Sequence, residues 1–178
     1  MSPLIKKFNG KITMKKLLIA LVFVLAVASV NAQAFEGKED MKFQIGTNFQ
    51  ENGTGIVVTY DYGLGENFSL GLSSSYVLGV AELINADFGD RIDFKARFNA
   101  NLGSVFQLGD NVDIYPGLDL GLKNFGGHLG IRYFFSDGFG VFSEINAPLA
   151  KYKTETLTAA EKLHNQFVFS IGASFNLN

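Results

Sequence analysis

The feature that most constrains the fold is an alternation of apolar and polar residues that runs through most of the chain after residue 40. The clearest stretch covers 91–102, where Ile92, Phe94 and Phe98 alternate with charged or amide side chains. A period of two residues predicts a β-strand with one apolar and one polar face. After residue 35 no long stripe has the 3.6-residue period of a helix, and only 157–165 is compatible with a short helical turn.

The alternating pattern occurs eight times, which predicts eight strands. They cover 42–50, 55–64, 67–77, 91–102, 112–122, 126–135, 139–148 and 166–178. Turns with Gly and Asn or Asp occur at 64–67, 108–111 and 136–138, and we expect their glycines to supply the positive φ of tight hairpins. Longer connections at 78–90 and 149–165 join the third strand to the fourth and the seventh to the eighth. Short and long connections are therefore expected at opposite ends of an antiparallel, up-and-down sheet.

The N-terminus has the three parts of a secretory signal peptide. A basic cluster at 14–16 precedes a 14-residue apolar run at 17–30, which is shorter than the ~20 residues of a membrane-spanning helix. Small residues follow, and cleavage is expected after Ala32 or Ala34. Met14 is the better start, so 1–34 is predicted to be a cleaved signal peptide with an N-terminal extension, and 35–178 a single barrel domain.

Composition and charge exclude several classes of function. The chain has no Cys, which excludes disulfides, thiolate metal sites and cysteine nucleophiles. Residues 1–32 hold five Lys and no acidic residue, so the remainder has ten basic and 17 acidic residues and a net charge of −7. An acidic surface argues against nucleic acid as a partner.

Two packings fit eight such strands: a soluble barrel with its apolar face inside, or a membrane barrel with its polar face inside. The interior of an eight-stranded barrel has room only for side chains. The polar faces carry six Gly and several Ser, whereas the apolar faces carry the large Phe and Leu residues. Enclosed charges of both signs can pair with one another. We therefore predict a polar lumen with a charge network of Lys42, Asp61, Arg91, Asp93, Lys95, Arg97, Asp113, Asp119, Arg132 and Glu144.

Aromatic placement favours the membrane packing as well. If the short turns share one end of the barrel, seven aromatic residues converge there, which is typical of the girdle at a membrane interface. They are Tyr62, Phe68, Phe106, Tyr133, Phe135, Phe139 and Phe175. Each strand is also close to the ~9–11 residues that a tilted membrane strand needs.

The export signal at 14–34, the Leu-Gly-Glu/Asp-Asn turns and the closing strand 167–178 resemble the small outer-membrane β-barrels of Gram-negative bacteria, of the outer membrane protein A and X type. The resemblance implies a location in the cell outer membrane, with both termini and the short turns in the periplasm and the longer loops outside. It implies outer-membrane lipid and the barrel-insertion machinery as partners, and no cofactor. The machinery reads a terminal aromatic residue; here Phe175 lies three residues before the end.

Two histidines are the only candidates for catalysis or metal binding. His128 is predicted on the inner face with Glu144 on the next strand, but Ser143 is predicted to face outward. A His–Ser–Glu lipid deacylase site is therefore not expected. We interpret His164 as a solvated loop residue, because no second His or Cys lies near it to share a metal.

The sequence predicts a structural or surface-interaction role for a barrel with a plugged lumen. Loops 78–90 and 149–165 would contact a surface protein or lipopolysaccharide. The alternatives are a membrane-embedded lipid-modifying enzyme and an exported soluble, lipocalin-like ligand-binding barrel. The fold alone does not choose among them.

Overall fold

The computed structural model describes residues 33–80, 86–153 and 156–177. The strands in these segments are β1 (Met41–Gln50), β2 (Gly53–Gly63), β3 (Phe68–Val80), β4 (Ile92–Ala100), β5 (Val112–Gly121), β6 (Asn124–Ser136), β7 (Phe139–Lys151) and β8 (Val168–Asn176). Two single-turn helices, α1 (Phe88–Arg91) and α2 (Ala159–Lys162), lie in the β3–β4 and β7–β8 connections. All eight predicted strands are confirmed, and β3 and β7 continue three residues beyond their predicted ends.

The strands form one closed antiparallel barrel. Each strand pairs with the next along the chain, and β1 pairs with β8 to close the sheet. In this closing pair Phe43 lies opposite Phe175, and Phe49 lies opposite Phe169. Closure leaves no strand edge with unpaired backbone groups, which is the condition for a sheet in hydrocarbon. Among the helices of the described segments, none has the length and apolar character needed to cross a membrane.

The barrel has two distinct ends. We call the end where β1 begins and β8 ends the terminal rim; it also carries the connections 64–67, 101–111 and 137–138. The opposite end, the loop rim, carries the eleven-residue connection 81–91 and the sixteen-residue connection 152–167. It also carries the two-residue turns 51–52 and 122–123, and the terminal rim has one eleven-residue connection. The expected separation of short and long connections is therefore only partly correct.

The turn glycines were predicted to adopt positive φ, and this holds only for Gly109, at 94°. Gly65 and Gly138 are not among the described residues with positive φ, so their turns do not need glycine for that reason. The four-residue connection 64–67 is closed by the Leu64 amide, which donates to the Phe68 carbonyl at 2.8 Å. Hairpin loops of this length are commonly built on type I turns, which need no positive φ at their central residues.

Side chains alternate between the outside and the lumen as the sequence predicted. Phe94, Phe98 and Phe169 face outward, with exposed fractions of 49, 40 and 36 %. The inner face instead buries polar residues, including Arg97 and Arg132 at 2 and 1 % exposure. This is the reverse of the packing in a soluble barrel, so the lipocalin-like alternative is wrong for this fold.

Glycines on the inner face make room for two rings in the lumen, those of Tyr115 and His128. A methyl group at Gly130 would overlap the ring of Tyr115, and one at Gly117 would overlap the imidazole of His128. Both glycines lie on strands next to the ring that they accommodate, so the barrel closes around these side chains without displacing the backbone.

The segment before β1 crosses the terminal rim. The Ala34 amide donates to the Asp110 carbonyl at 2.6 Å, and the Ala34 side chain packs against Phe134. Residues 1–32 lie outside the described segments, so the signal peptide and its cleavage site remain predictions.

Candidate functional site

The lumen holds nine of the ten charged residues predicted for it. We call these nine the lumen cluster; they are Lys42, Asp61, Asp93, Lys95, Arg97, Asp113, Asp119, Arg132 and Glu144. All are buried except Lys95, whose side chain is 18 % exposed. The prediction for Arg91 is wrong: it belongs to α1, and its Nε donates to the Ala86 carbonyl at 3.2 Å. The strand begins one residue later than predicted, at Ile92, because the helical turn directly precedes β4.

Arg97 lies at the centre of the cluster and bridges the barrel. Its Nη2 donates to Glu144 Oε2 at 2.7 Å, and its Nε lies 3.4 Å from Asp61 Oδ1. Nε also donates to Asn99 Oδ1 at 3.3 Å. Asp61, Arg97 and Glu144 belong to β2, β4 and β7, so one guanidinium connects three strands across the lumen.

A second guanidinium lies nearer the terminal rim. Arg132 donates to Asp113 Oδ2 from both Nε and Nη2, at 3.1 and 2.9 Å, and from Nη2 to Asn101 Oδ1 at 2.5 Å. Its Nη1 lies 3.9 Å from Asp61 Oδ2. The Asp61 carboxylate therefore lies between Arg97 and Arg132, whose positive charges offset its negative charge inside the lumen.

Tyr115 is a functional part of the lumen that sequence reasoning did not single out. Its ring centroid lies 4.5 Å from the Arg132 guanidinium carbon and 5.9 Å from that of Arg97, within cation–π range. Gln44 Nε2 donates to its hydroxyl oxygen at 3.3 Å, and Thr59 Oγ1 donates to Gln44 Oε1 at 2.9 Å. Its position among the polar residues of β5 was the available signal.

His128 is held by acceptors on both sides of its ring. Asp119 Oδ1 lies 3.0 Å from Nδ1, and Asn99 Oδ1 lies 2.8 Å from Nε2. Arg97 Nη2 lies 3.0 Å from the same Nε2. These contacts fix the orientation of the imidazole and make it a structural member of the network.

The geometry does not bring Ser143 to His128. Ser143 is opposite Ile131 on one neighbouring strand and Ile171 on the other, both of which are exposed on the outer face. The residue therefore points away from His128, as the alternation predicted. In the described segments no group of three or more His, Asp or Glu residues is arranged to hold a metal ion.

Lys42 closes the cluster at the terminal rim. Its Nζ lies 2.6 Å from Asp40 Oδ1 and donates to Asn176 Oδ1 at 3.1 Å. It also lies 5.3 Å from the centroid of the buried Phe134 ring. Asp40 was not predicted as a site residue, because it precedes the first alternating stretch and the contact depends on how residues 33–40 fold.

The β7–β8 connection covers the loop rim. Within this connection Leu163 and His164 are buried, with exposed fractions of 1 and 8 %. Gln50 Nε2 donates to the Leu163 carbonyl, and Asn124 Nδ2 to the His164 carbonyl, both at 2.6 Å. We call residues 159–166 the cap. The interpretation of His164 as a solvated residue is wrong, because the connection folds inward over the mouth of the barrel.

Burial and hydrogen bonding set the charge state of two cap residues. Burial lowers the pKa of His164, and the nearby Asp93 carboxylate offsets this only in part. Hydrogen bonds from Lys153 and from the Thr158 amide lower the pKa of Glu161 to about 2. At neutral pH the cap therefore contains a neutral imidazole facing the lumen and an ionised carboxylate facing solvent.

Six of the seven predicted girdle residues lie at strand ends on the terminal rim, and Phe106 lies in the 101–111 connection. Ring contacts run from Tyr133 to Phe135, then to Phe139 and Phe175, with centroid distances of 5.1, 6.1 and 5.6 Å. Phe43 extends this row, and Phe98 stacks on Phe68 at 5.5 Å; neither was predicted.

The chain is similar to solved structures that include a designed transmembrane barrel and an outer membrane protein. Over 80 % of the chain, it superposes on 98 % of a de novo designed transmembrane β-barrel with a TM-score of 0.54 and 9 % identity. The N-terminal β-barrel domain of Pseudomonas aeruginosa OprF superposes with a TM-score of 0.56 and 11 % sequence identity. The match covers 80 % of this chain and 100 % of that domain. The outer membrane protein OprG of P. aeruginosa superposes with a TM-score of 0.53 and 10 % sequence identity. The match covers 84 % of this chain and 100 % of OprG.

The closed eight-stranded sheet, its apolar exterior and its charged lumen define a small transmembrane β-barrel of the outer-membrane type. Within that class, the chain belongs to the family described as "Family of unknown function (DUF6646)", which matches residues 23–177. No curated protein matches the chain significantly. The comparisons support an eight-stranded outer-membrane barrel, and the more specific resemblance to outer membrane proteins A and X stays a prediction.

Proposed function

We propose that this protein is an exported outer-membrane barrel whose own side chains plug the lumen, and whose role is structural or surface interaction. The observation that supports the proposal is the buried network around Arg97 and Arg132, whose ion pairs join strands across the lumen. Because the interior of an eight-stranded barrel has room only for side chains, we expect these buried groups to leave no continuous path for water.

Both ends of the barrel add to this closure. At the loop rim the cap lies over a polar cavity of about 30 Å³, bounded by Asp93, Lys95 and Glu144 among others. A volume of this size holds one or two water molecules. At the terminal rim the Glu39 amide donates to the Gly63 carbonyl at 2.9 Å, which holds residues 35–40 against the barrel after either cleavage. Bulk diffusion of solutes is therefore not part of the proposed role.

Conductance and fractionation test this proposal together. The purified protein in planar bilayers is expected to give no large, stable conductance, and neither Arg97→Ala nor Asp119→Ala is expected to create one, although both should lower thermal stability. In cells, the protein should stay in the pellet after carbonate washing and show heat-shifted mobility on a gel. A large, stable wild-type conductance would refute the plug, and release by carbonate would refute the membrane location.

The proposal places the loop rim at the cell surface, and two glycines offer a matched test. A side chain at Gly89, near the loop rim, or at Gly138, at the terminal rim, would enter open space. Since the chain has no cysteine, Gly89→Cys and Gly138→Cys each introduce one thiol. A membrane-impermeant maleimide should label Gly89→Cys in intact cells, and Gly138→Cys only after permeabilisation. The reverse pattern would invert the proposed orientation.

We infer no catalytic role, since Ser143 lies on the outer face and His128 is committed to the lumen network. The lipid-modifying alternative makes a direct counter-prediction: the wild-type protein reconstituted with lipid A should release fatty acid. Fatty-acid release that persists in an Arg97→Ala variant but is lost in a Ser143→Ala variant would establish a lipid-modifying enzyme. It would overturn the inference that the protein has no catalytic role.

A further inference from the structure

A groove on the outside of the loop rim combines lysines with exposed apolar side chains. It has a volume of about 610 Å³ and lies between the end of β7 and α2. We call it the β7–α2 groove; its lining residues are Pro148, Leu149, Lys151, Lys153, Thr156, Leu157 and Lys162. Three cations in one groove are unusual for a chain whose net charge beyond residue 32 is −7.

Within the segments that the structure describes, two of these lysines have no ionic partner. Glu161 pairs with Lys153, but Lys151 and Lys162 form no ion pair among the described residues. No carboxylate of those residues lines the groove. The groove therefore presents unneutralised positive charge, and it is complementary to an anion.

The height of the groove on the barrel identifies the source of that anion. β7 runs from Phe139, in the aromatic row of the terminal rim, to Lys151 at the loop rim. Twelve residue steps of about 3.3 Å, inclined by about 40°, separate them by about 30 Å along the barrel axis. The apolar band of such barrels is about 25 Å tall, so Lys151 lies just beyond it, at the level of lipid headgroups.

Two apolar residues of the groove, Pro148 and Leu149, lie on the membrane side of Lys151 on β7. Leu149 precedes Lys151 on β7 and is 63 % exposed. A register shift between β6 and β7 leaves Leu149 without a partner residue, between Pro148, opposite Gly126, and Ala150, opposite Phe125. A ligand that places its anionic part on the lysines would therefore place its apolar part along Leu149, toward the acyl layer.

We propose that the β7–α2 groove binds the phosphorylated headgroup of a lipid in the surrounding outer leaflet. Lys151 and Lys162 donate to phosphate oxygens, and Leu149 contacts the start of an acyl chain. The inference rests on the proposed function, because it requires the loop rim to face the outer leaflet. Free inorganic phosphate shares the headgroup chemistry but lacks the apolar part that Leu149 would contact.

The test compares lysine variants in a bilayer of defined composition. The mature protein is reconstituted in phosphatidylcholine nanodiscs that contain a minor fraction of bisphosphorylated lipid A, and retained lipid A is counted by native mass spectrometry. Each lysine near an anionic membrane surface contributes about a fivefold change in affinity, so Lys151→Gln combined with Lys162→Gln should reduce retention about 25-fold. The control, Lys38→Gln, removes an exposed charge in the segment before β1 and should change nothing.

Two probes separate the possible ligands. The wild type should retain lipid A without phosphates poorly. This retention should be as low as that of bisphosphorylated lipid A by the double variant. Equal retention of both lipids would overturn the phosphate assignment. Displacement of lipid A by millimolar inorganic phosphate would show a site for free phosphate and overturn the lipid assignment.

The outcomes also distinguish this inference from the proposed function. Heat-shifted mobility of the double variant verifies that it folds, and unchanged lipid A retention in that folded variant would refute the groove alone. Conductance, carbonate extraction and cysteine labelling do not depend on Lys151 or Lys162. Their failure would refute the proposed function, and the orientation that the groove requires would fall with it.

Discussion

Replacing Arg97 by Met tests whether the lumen network stabilises the barrel. The guanidinium is 2 % exposed and lies 2.7 Å from the Glu144 carboxylate and 3.4 Å from that of Asp61. Methionine keeps most of the side-chain volume but leaves both carboxylates buried without this partner. Removing one partner of a buried ion pair costs about 3–5 kcal/mol. This is a large share of the ~5–15 kcal/mol by which a typical domain is stable.

The assay is equilibrium unfolding in urea of the protein refolded in lipid vesicles, with the folded fraction read from heat-shifted mobility. Glu144→Gln alone should cost less, because Asp61 and Asn99 still contact Arg97. The Arg97→Met and Glu144→Gln double variant should lose less than the sum of the two single losses, by about 1–3 kcal/mol. Lys38→Met, at an exposed position, should stay within about 0.5 kcal/mol of the wild type. A loss below 1 kcal/mol for Arg97→Met, or strict additivity, would refute the reasoning.

Three further perturbations test other parts of the structure. Gly130→Ala should cost about 1–3 kcal/mol in the same unfolding assay, because its methyl group overlaps the Tyr115 ring; an unchanged midpoint would show that the ring moves freely. Leu72→Lys, at a site 66 % exposed on the outer face, should cost about 2–4 kcal/mol in vesicles, whereas Leu72→Ala should cost much less; equal losses would contradict a lipid-facing position. Burial lowers the pKa of His164 in the folded cap. The stability that the neutral imidazole gives the cap is therefore fully present above the ordinary histidine pKa of about 6.5. It is lost as the pH falls from that value toward the lower pKa of the folded state. Hydrogen exchange of residues 159–166 should therefore be faster at pH 5.5 than expected from the intrinsic rate, and His164→Gln should remove this excess.

The sequence predicted the strands and their faces because both follow from a local period of two residues. Asp93, Lys95 and Arg97 face inward and Phe94 and Phe98 outward, as the alternation requires. The aromatic residues of the terminal rim followed from the same assignment once the turns were located. This information is contained within single strands, so it needs no knowledge of how distant strands meet.

Contacts across the lumen could not be predicted in the same way. The backbone register places Asp61 opposite Gly71, Gly71 opposite Arg97 and Arg97 opposite Asp119, in one layer around the barrel. The contact of Arg97 with Glu144, however, depends on the tilt and stagger of all the strands between them. The burial of His164 likewise depends on where the β7–β8 connection folds, and a loop sequence without periodicity carries no such signal.

The lumen network also bears on how the register is specified. A slip of one residue in β4 would carry Arg97 to the lipid face and Phe98 into the lumen. In water the apolar faces of a sheet would oppose this slip by burying themselves, but in a bilayer both the native and the slipped strand have apolar surroundings outside. The free-energy difference that disfavours a slipped register must therefore come from charged groups that are stable only in the lumen. There the Arg97 guanidinium pairs with Asp61 and Glu144. We accordingly expect Arg97→Met to increase misfolded species during refolding, detected as protein that never acquires heat-shifted mobility, beyond its effect on the unfolding midpoint. A normal refolding yield together with a lowered midpoint would mean that the network stabilises the native barrel without selecting its register.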